Sequence, residues 1–243
     1  MKLLLFCLVP LFLSLLADDC LKGGPKVEAN KYPFTAKLWI HRPPHGGLCT
    51  GSLVKKNLIL TAKHCFVKDG QTYKDGTASF YYSSSKCTQA KKMEIGMKLV
   101  KTYRDSDLAL ARLTRKIKGI MPAKINRKKF KIGTSMRIVG YGMHDHRQDD
   151  GHLRHIILKT SFDNGTKIGT KLGPDNAGPC AGDSGGPLLV KADGFWSIVA
   201  TLQGYGYDCR NNTISSKYPD DVWSSVRVIK KQDLRRCMKS ESC

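Results

Sequence analysis

After residue 30 the apolar positions come in short runs with polar or turn-forming residues between them. Residues 36–40, 58–60, 78–82, 108–110, 136–139, 155–158, 188–190 and 196–202 are each of strand length, and Gly, Pro, Asn or Asp clusters bound most of them. Few segments keep a helical period. The exception is the tail, 225–239, where Val228, Ile229, Leu234 and Cys237 fall on one face of a helix. Many short strands joined by turns predict an all-β protein, barrel or sandwich, with one terminal helix. No internal repeat or low-complexity linker interrupts the pattern. A basic polar stretch at 125–131 separates two β-rich halves and predicts a boundary there.

The first residues have a different pattern. Met1 and Lys2 give a short positive start, and residues 3–16 form an apolar run broken by Pro10 and Ser14. This reads as a secretory signal peptide, residues 1–17, cut after Ala17. The run is too short to span a membrane comfortably, and no later segment is apolar for about eighteen residues. The expectation is a soluble, secreted, extracellular protein without a membrane span.

Secretion changes how the cysteines read. The chain has nine. Cys7 leaves with the signal peptide, so eight remain: Cys20, Cys49, Cys65, Cys87, Cys180, Cys209, Cys237 and Cys243. An even number in an oxidising compartment predicts disulfides. No CxxC pair occurs, so the spacing does not suggest zinc. Charge adds a second theme. Forty-one Lys and Arg face 20 Asp and Glu, for a net +21, and the basic residues are spread along the chain. Such a surface attracts polyanions, for example a heparin-like glycosaminoglycan. No nucleic-acid-binding motif is present, and secretion argues against that partner.

Three segments carry candidate chemistry. They are Leu60-Thr-Ala-Lys-His-Cys65, Ser106-Asp-Leu-Ala-Leu110 and Gly182-Asp-Ser-Gly-Gly-Pro187. Amide hydrolysis by a serine needs a neutral imidazole beside the hydroxyl, an acceptor on the imidazole's other nitrogen, and donors for the oxyanion. His64, Asp107 and Ser184 meet the first two needs. The backbone N–H groups of Gly182 and Ser184 meet the third.

With these motifs the chain resembles the chymotrypsin/trypsin-like serine protease family across nearly all of residues 21–243. The candidate triad occurs in the family's chain order. Cys49-Thr-Gly-Ser-Leu-Val resembles a strand of the family's first barrel, and Val139-Gly-Tyr-Gly142 resembles its Gly-Trp-Gly turn. The resemblance implies disulfides Cys49–Cys65 and Cys180–Cys209, and leaves Cys20, Cys87, Cys237 and Cys243 unassigned. It implies two antiparallel six-stranded β-barrels packed side by side, about 21–125 and 126–243, with the active site between them and a C-terminal helix. It implies a monomeric peptidase that acts on protein or peptide substrates without a cofactor.

The pocket departs from the family's pattern. The base position, six residues before the serine, holds Gly178 rather than the aspartate of trypsins. Gln203-Gly204-Tyr205 aligns with the family's Ser-Trp-Gly wall, and the Gln203 amide is a candidate donor to Asp107. Asp220 and Asp221 fall where glycine is usual, either entering the pocket as acids or facing solvent on a bulge. Mixed or non-tryptic specificity is expected. Activation departs too. The resemblance makes residues 18–20 a short propeptide and Leu21 the new N-terminus, whose amine pairs with Asp183. Yet Cys20, not Arg or Lys, precedes the cut. A protease-like protein with idle machinery, acting through its basic surface, is the competing reading.

Asn164-Gly-Thr and Asn211-Asn-Thr are glycosylation acceptors. The histidines at 144, 146, 152 and 155, with Asp145, Asp149 and Asp150, are read as a surface loop rather than a metal site. The acid-poor stretch 68–76 is not read as a calcium site.

Overall fold

The computed structural model describes residues 24–28, 30–82, 91–143, 151–192, 194–209, 213–214, 217 and 220–239. The expected signal peptide, Leu21, Cys20, Cys87, Cys243, Asn211 and the histidine-rich stretch 144–150 lie outside them.

Six strands form the first barrel: β1 (Thr35–Ile40), β2 (Gly47–Lys55), β3 (Leu58–Thr61), β4 (Asp75–Tyr82), β5 (Lys91–Thr102) and β6 (Ala109–Leu113). Around the closed barrel they run β1-β2-β3-β6-β5-β4, all antiparallel. Six more form the second: β7 (Ser135–Gly140), β8 (Arg154–Asp163), β9 (Lys167–Thr170), β10 (Pro187–Ala192), β11 (Phe195–Gly204) and β12 (Asp221–Ser225). These run β7-β8-β9-β12-β11-β10, the same order, and the β10–β11 ladder closes the ring. The short strand Lys124–Ile125 adds to β11 in parallel.

Alternation explains the strands. Along β8, Arg154, Ile156, Leu158 and Thr160 are buried, while Ile157 and Lys159 are exposed. The inward residues fill each barrel. Leu38, Leu53, Leu60, Phe80 and Leu110 pack in the first, and Met136, Ile138, Leu188, Val199 and Trp223 in the second. Trp223 is fully buried, and its indole N–H donates to Thr170 Oγ1 at 2.9 Å, which satisfies its one polar atom.

The tail carries the expected terminal helix, but a shorter one. Residues 221–225 are β12, a 3-10 turn covers Val226–Val228, and helix α1 spans only Lys231–Arg236. Strand β12 pairs on both sides, with β9 and with β11, and ends at Ser225, where the helical period begins. Helix α1 docks on the first barrel through Asp233. Its carboxylate accepts from Lys101 Nζ and Tyr103 Oη, each at 3.0 Å. Burial alone would raise the Asp233 pKa, but these bonds hold it below the usual carboxylate range. Cys237, just past the helix, is disulfide-bonded to a residue outside those described.

Candidate active site

Strand register brings His64 and Asp107 together. In the β3–β6 ladder Thr61 sits opposite Ala109. His64 follows Thr61 by three residues on the 3-10 turn Lys63–Cys65, and Asp107 precedes Ala109 by two. His64 Nδ1 lies 2.6 Å from Asp107 Oδ2, and the His64 backbone N–H donates to Asp107 Oδ1 at 2.8 Å. Both carboxylate oxygens therefore hold the same histidine. The Asp107 side chain is 10% exposed and the His64 side chain 41%, so the acid is sheltered and the imidazole is open to solvent. The Cys49–Cys65 disulfide ties this turn to β2.

Ser184 lies on the loop before β10. Its carbonyl accepts the Thr50 N–H at 2.9 Å, so the loop is fastened to the first barrel one residue from the Cys49–Cys65 bridge. Gly185 has φ +77°, and a Cβ there would sit 2.1 Å from Thr61 Oγ1 and 2.6 Å from Ala62 N. Glycine is required by both conformation and space, and it seats Ser184 against the segment that carries His64. Gly182 has φ +99°, and its carbonyl accepts from Thr50 Oγ1 at 2.9 Å. Among the described residues no backbone acceptor takes the N–H of Gly182 or Ser184. A cleft of about 510 Å³ opens beside Gly182, walled in part by Trp39, Arg42, Lys68 and Met143.

Asp183 points away from the cleft and is fully buried. Its oxygens accept the N–H groups of Gly142 at 2.7 Å and Cys180 at 2.9 Å. Burial pushes its pKa up to about 7, against the pull of those two N–H groups and of Arg154. The Gly140-Tyr-Gly142 turn wraps the carboxylate so closely that a Cβ on Gly140 would lie 1.9 Å from Asp183 Oδ1. Leu21, the other half of the expected activation pair, lies outside the described residues.

The pocket positions converge in part. The Cys180–Cys209 disulfide forms, with Cα atoms 5.7 Å apart. Asp221 does not face solvent. It is fully buried, and its carboxylate lies 3.5 Å from where a Cβ on Gly178 would stand. Oδ1 accepts the Gly206 N–H at 2.8 Å. Burial pushes its pKa up to about 7, with Asp220 and Asp183 pushing the same way. Asp220 is half-buried at the start of the strand, and Tyr205 is half-buried against the second-barrel core. Gln203 is a correction. Its Oε1 accepts from Ser224 Oγ at 3.0 Å, across the β11–β12 ladder, and among the described residues it makes no bond to Asp107.

Three residues that sequence reading missed hold the site together. Thr50 bridges the barrels, accepting the Tyr141 N–H at 3.1 Å while donating to Gly182. Thr61 Oγ1 donates to the Thr50 carbonyl at 2.8 Å. Arg154 is buried and its charge pulls the Asp183 pKa down, and its only sequence signal is a cation at the head of an apolar strand run. Asn164 is exposed in the β8–β9 turn. Among the described residues no cluster of His, Cys, Asp or Glu is arranged to hold a metal, and no helix is long and apolar enough to cross a membrane.

A family profile described as Trypsin matches residues 21–219. The chain is 24% identical to Serine protease 28 of Mus musculus over 229 residues, covering 78% of this chain and 81% of that protein. It is 26% identical to Snake venom serine protease BITS01A of Bothrops insularis over 203 residues, covering 76% and 77%. It is also 26% identical to Tissue-type plasminogen activator of Homo sapiens, covering 82% of this chain but 42% of that longer protein. A solved structure described as "Structure of GrC" superposes with a TM-score of 0.66 at 19% identity, over 90% of this chain and 99% of that one, a likeness of fold.

Proposed function

The chain belongs to the trypsin family, and on that premise we propose that it is a secreted serine endopeptidase working through His64, Asp107 and Ser184. The observation that carries the reading is the 2.6 Å contact between His64 Nδ1 and Asp107 Oδ2, beside a serine loop fastened to the same wall. Ser184 Oγ attacks the scissile carbonyl while His64 Nε2 takes its proton. Asp107 accepts the Nδ1–H and stabilises the imidazolium. The N–H groups of Gly182 and Ser184 receive the oxyanion. The intermediate collapses as the imidazolium protonates the leaving amine, which leaves an acyl-enzyme. Water, activated by the same imidazole, then releases the acid and restores Ser184.

Specificity is mixed. Gly178 brings no acid to the pocket base, Gln203 and Tyr205 belong to one wall, and Asp221 supplies a carboxylate from the opposite wall, with Asp220 at its rim. A basic residue at the cleaved position pairs with Asp221 when that acid is ionised. The chain is secreted after loss of residues 1–17, acts as a monomer, and carries N-glycans at Asn164 and Asn211.

A fluorophosphonate probe on the secreted protein tests this reading. Ser184 is expected to label, and Ser184→Ala to abolish labelling. Asp107→Asn is expected to slow turnover of peptide substrates by roughly 10⁴-fold. Equal labelling of Ser184→Ala and wild type would remove Ser184 from the mechanism. N-terminal sequencing checks secretion, since a cell-retained chain beginning at Met1 contradicts it.

A second role, binding a heparin-like glycosaminoglycan, is favoured by a cavity of about 640 Å³ between the β2–β3 turn, residues 122–127 and α1. Lys55, Lys56, Lys124, Arg127, Lys231 and Arg235 surround an apolar floor that includes Leu234. None of the ion pairs among the described residues engages these six cations.

A further inference from the structure

The cleft beside Gly182 extends from the reacting position onto the first barrel. A substrate whose cleaved residue enters the pocket at Gly178 and Asp221 sets its carbonyl oxygen at the Gly182 and Ser184 N–H groups. The peptide after the cut then leaves past Gly182, away from that pocket. None of Gly178, Gln203, Tyr205 and Asp221 borders the cleft. Strands β1 and β2, with the turn 41–46 that joins them, supply most of its wall.

Strand register aims this wall at the site. Leu48 packs against Gly182, where a Cβ would lie 2.8 Å from Leu48 Cδ2. Trp39 is the direct partner of Leu48 in the β1–β2 ladder, and directly opposed residues face the same side of a sheet. Trp39 is 50% exposed, a large ring left open on the path of the departing peptide. Two glycines seat the next groups. The Trp39 indole fills the space a Gly46 Cβ would take, and the Arg42 guanidinium fills that of a Gly47 Cβ.

Arg42 is half-buried, and its Nε is closed off from solvent without an acceptor. Lys68 borders the same cleft. Among the described residues no ion pair engages either side chain, and Asp69, a carboxylate on the same wall, pairs with neither. The chain thus leaves the lost hydration of the guanidinium uncompensated. A carboxylate on a ligand compensates it through the outward N–H groups, in the forked geometry that suits arginine.

We propose that this cleft selects substrates with an acidic residue just after the cleaved bond, held by Arg42 and Lys68 beside the Trp39 ring. Arg42 is a specificity-determining residue on the leaving-group side. The inference rests on the peptidase reading above, and it names the part of the substrate that the pocket does not read. An extended peptide turns successive side chains to opposite faces, so one of the first two positions after the cut carries the preference.

The test uses internally quenched peptides that are alike through the cleaved residue and carry Asp, Asn or Lys at the first or second position after it. The secreted chain is expected to give a kcat/KM about tenfold higher for Asp than for Asn at one of the two positions, with Lys lowest. That ratio is expected to shrink as salt rises from about 0.05 M to about 0.5 M. Arg42→Gln should bring the ratio close to one, and Arg42→Lys should keep part of it, since charge remains without the fork. Arg42→Glu should reverse the preference toward Lys, whereas a merely structural role would lower all three substrates alike. Lys68→Glu provides a weaker reversal should the Arg42 variants fail to fold. Equal kcat/KM for Asp and Asn at both positions, in a wild type whose Ser184 labels with a fluorophosphonate, overturns the inference and leaves the peptidase reading standing. An acid preference that survives both Arg42→Gln and Lys68→Glu overturns it too. A wild type that neither labels nor cleaves ends the peptidase reading, and this inference with it.

Discussion

Asp221 is fully buried, and Oδ2 is left without a hydrogen-bond partner among the described residues while Oδ1 takes the Gly206 N–H. As the proposed pocket acid, with its pKa pushed up to about 7, it makes the charge of that pocket depend on pH across the neutral range. Below that value the pocket is neutral and above it anionic. The ratio of kcat/KM for a Lys or Arg substrate to that for a matched apolar one is therefore expected to rise between about pH 6 and pH 8. In Asp221→Asn this rise disappears, and cleavage after Lys or Arg at about pH 8 falls roughly 10- to 100-fold. An unchanged ratio in the variant removes Asp221 from the pocket. Stability follows the same acid. A folded pKa raised above the ordinary 3.8 means that stabilisation is full in acid and is lost as pH climbs through about 7. Denaturant midpoints should accordingly favour Asp221→Asn over wild type more at about pH 8 than at about pH 5.

Between elements, a few polar side chains carry the joints. Asp163, at the end of β8, accepts from Arg227, which follows β12, and from the Phe130 and Gly165 N–H groups. Its side chain is 3% exposed. Arg227 also donates to the Lys128 and Gly165 carbonyls, so one ion pair locks the interbarrel connection to the second barrel. Asp163→Ala strands a guanidinium in a sheltered site and is expected to cost about 3–5 kcal/mol in chemical denaturation. A loss below about 1 kcal/mol would mean that the carbonyls hold Arg227 unaided. The β3–β6 register is a joint of another kind. Gly185→Ala must clash with Thr61 and Ala62 or move the serine loop. Reaction at Ser184 should fall at least about 100-fold while His64 and Asp107 stay paired, because near-attack geometry tolerates little displacement.

For the whole molecule, charge is the dominant long-range property. The net +21 is distributed, but the cavity behind the first barrel collects six cations around an apolar floor. Heparin chromatography is expected to retain the protein to high salt, and Lys231→Glu with Arg235→Glu to shift elution to lower salt without changing peptide turnover. Elution with neutral proteins contradicts polyanion binding. Unchanged elution of the double variant moves the contact away from this cavity.

Much of this was legible beforehand because local rules dominate it. Eight apolar runs marked barrel strands, and the motifs around His64, Asp107 and Ser184 marked the chemistry, because strand periodicity and glycine-bounded turns are written in neighbouring residues. The expected tail helix forms but only over Lys231–Arg236, because Ser225 closes a strand whose ladders are formed by residues distant in sequence and a 3-10 turn follows it. Gln203 was aimed at Asp107 on alignment, whereas the β11–β12 pairing turns it to Ser224. Sequence by itself determined the class of fold, the family and the candidate nucleophile. Only tertiary structure decided whether Asp221 faced solvent or was buried, and which residue Gln203 bonds across the sheet. Burial and cross-strand register set both, and neither exists until the barrels close.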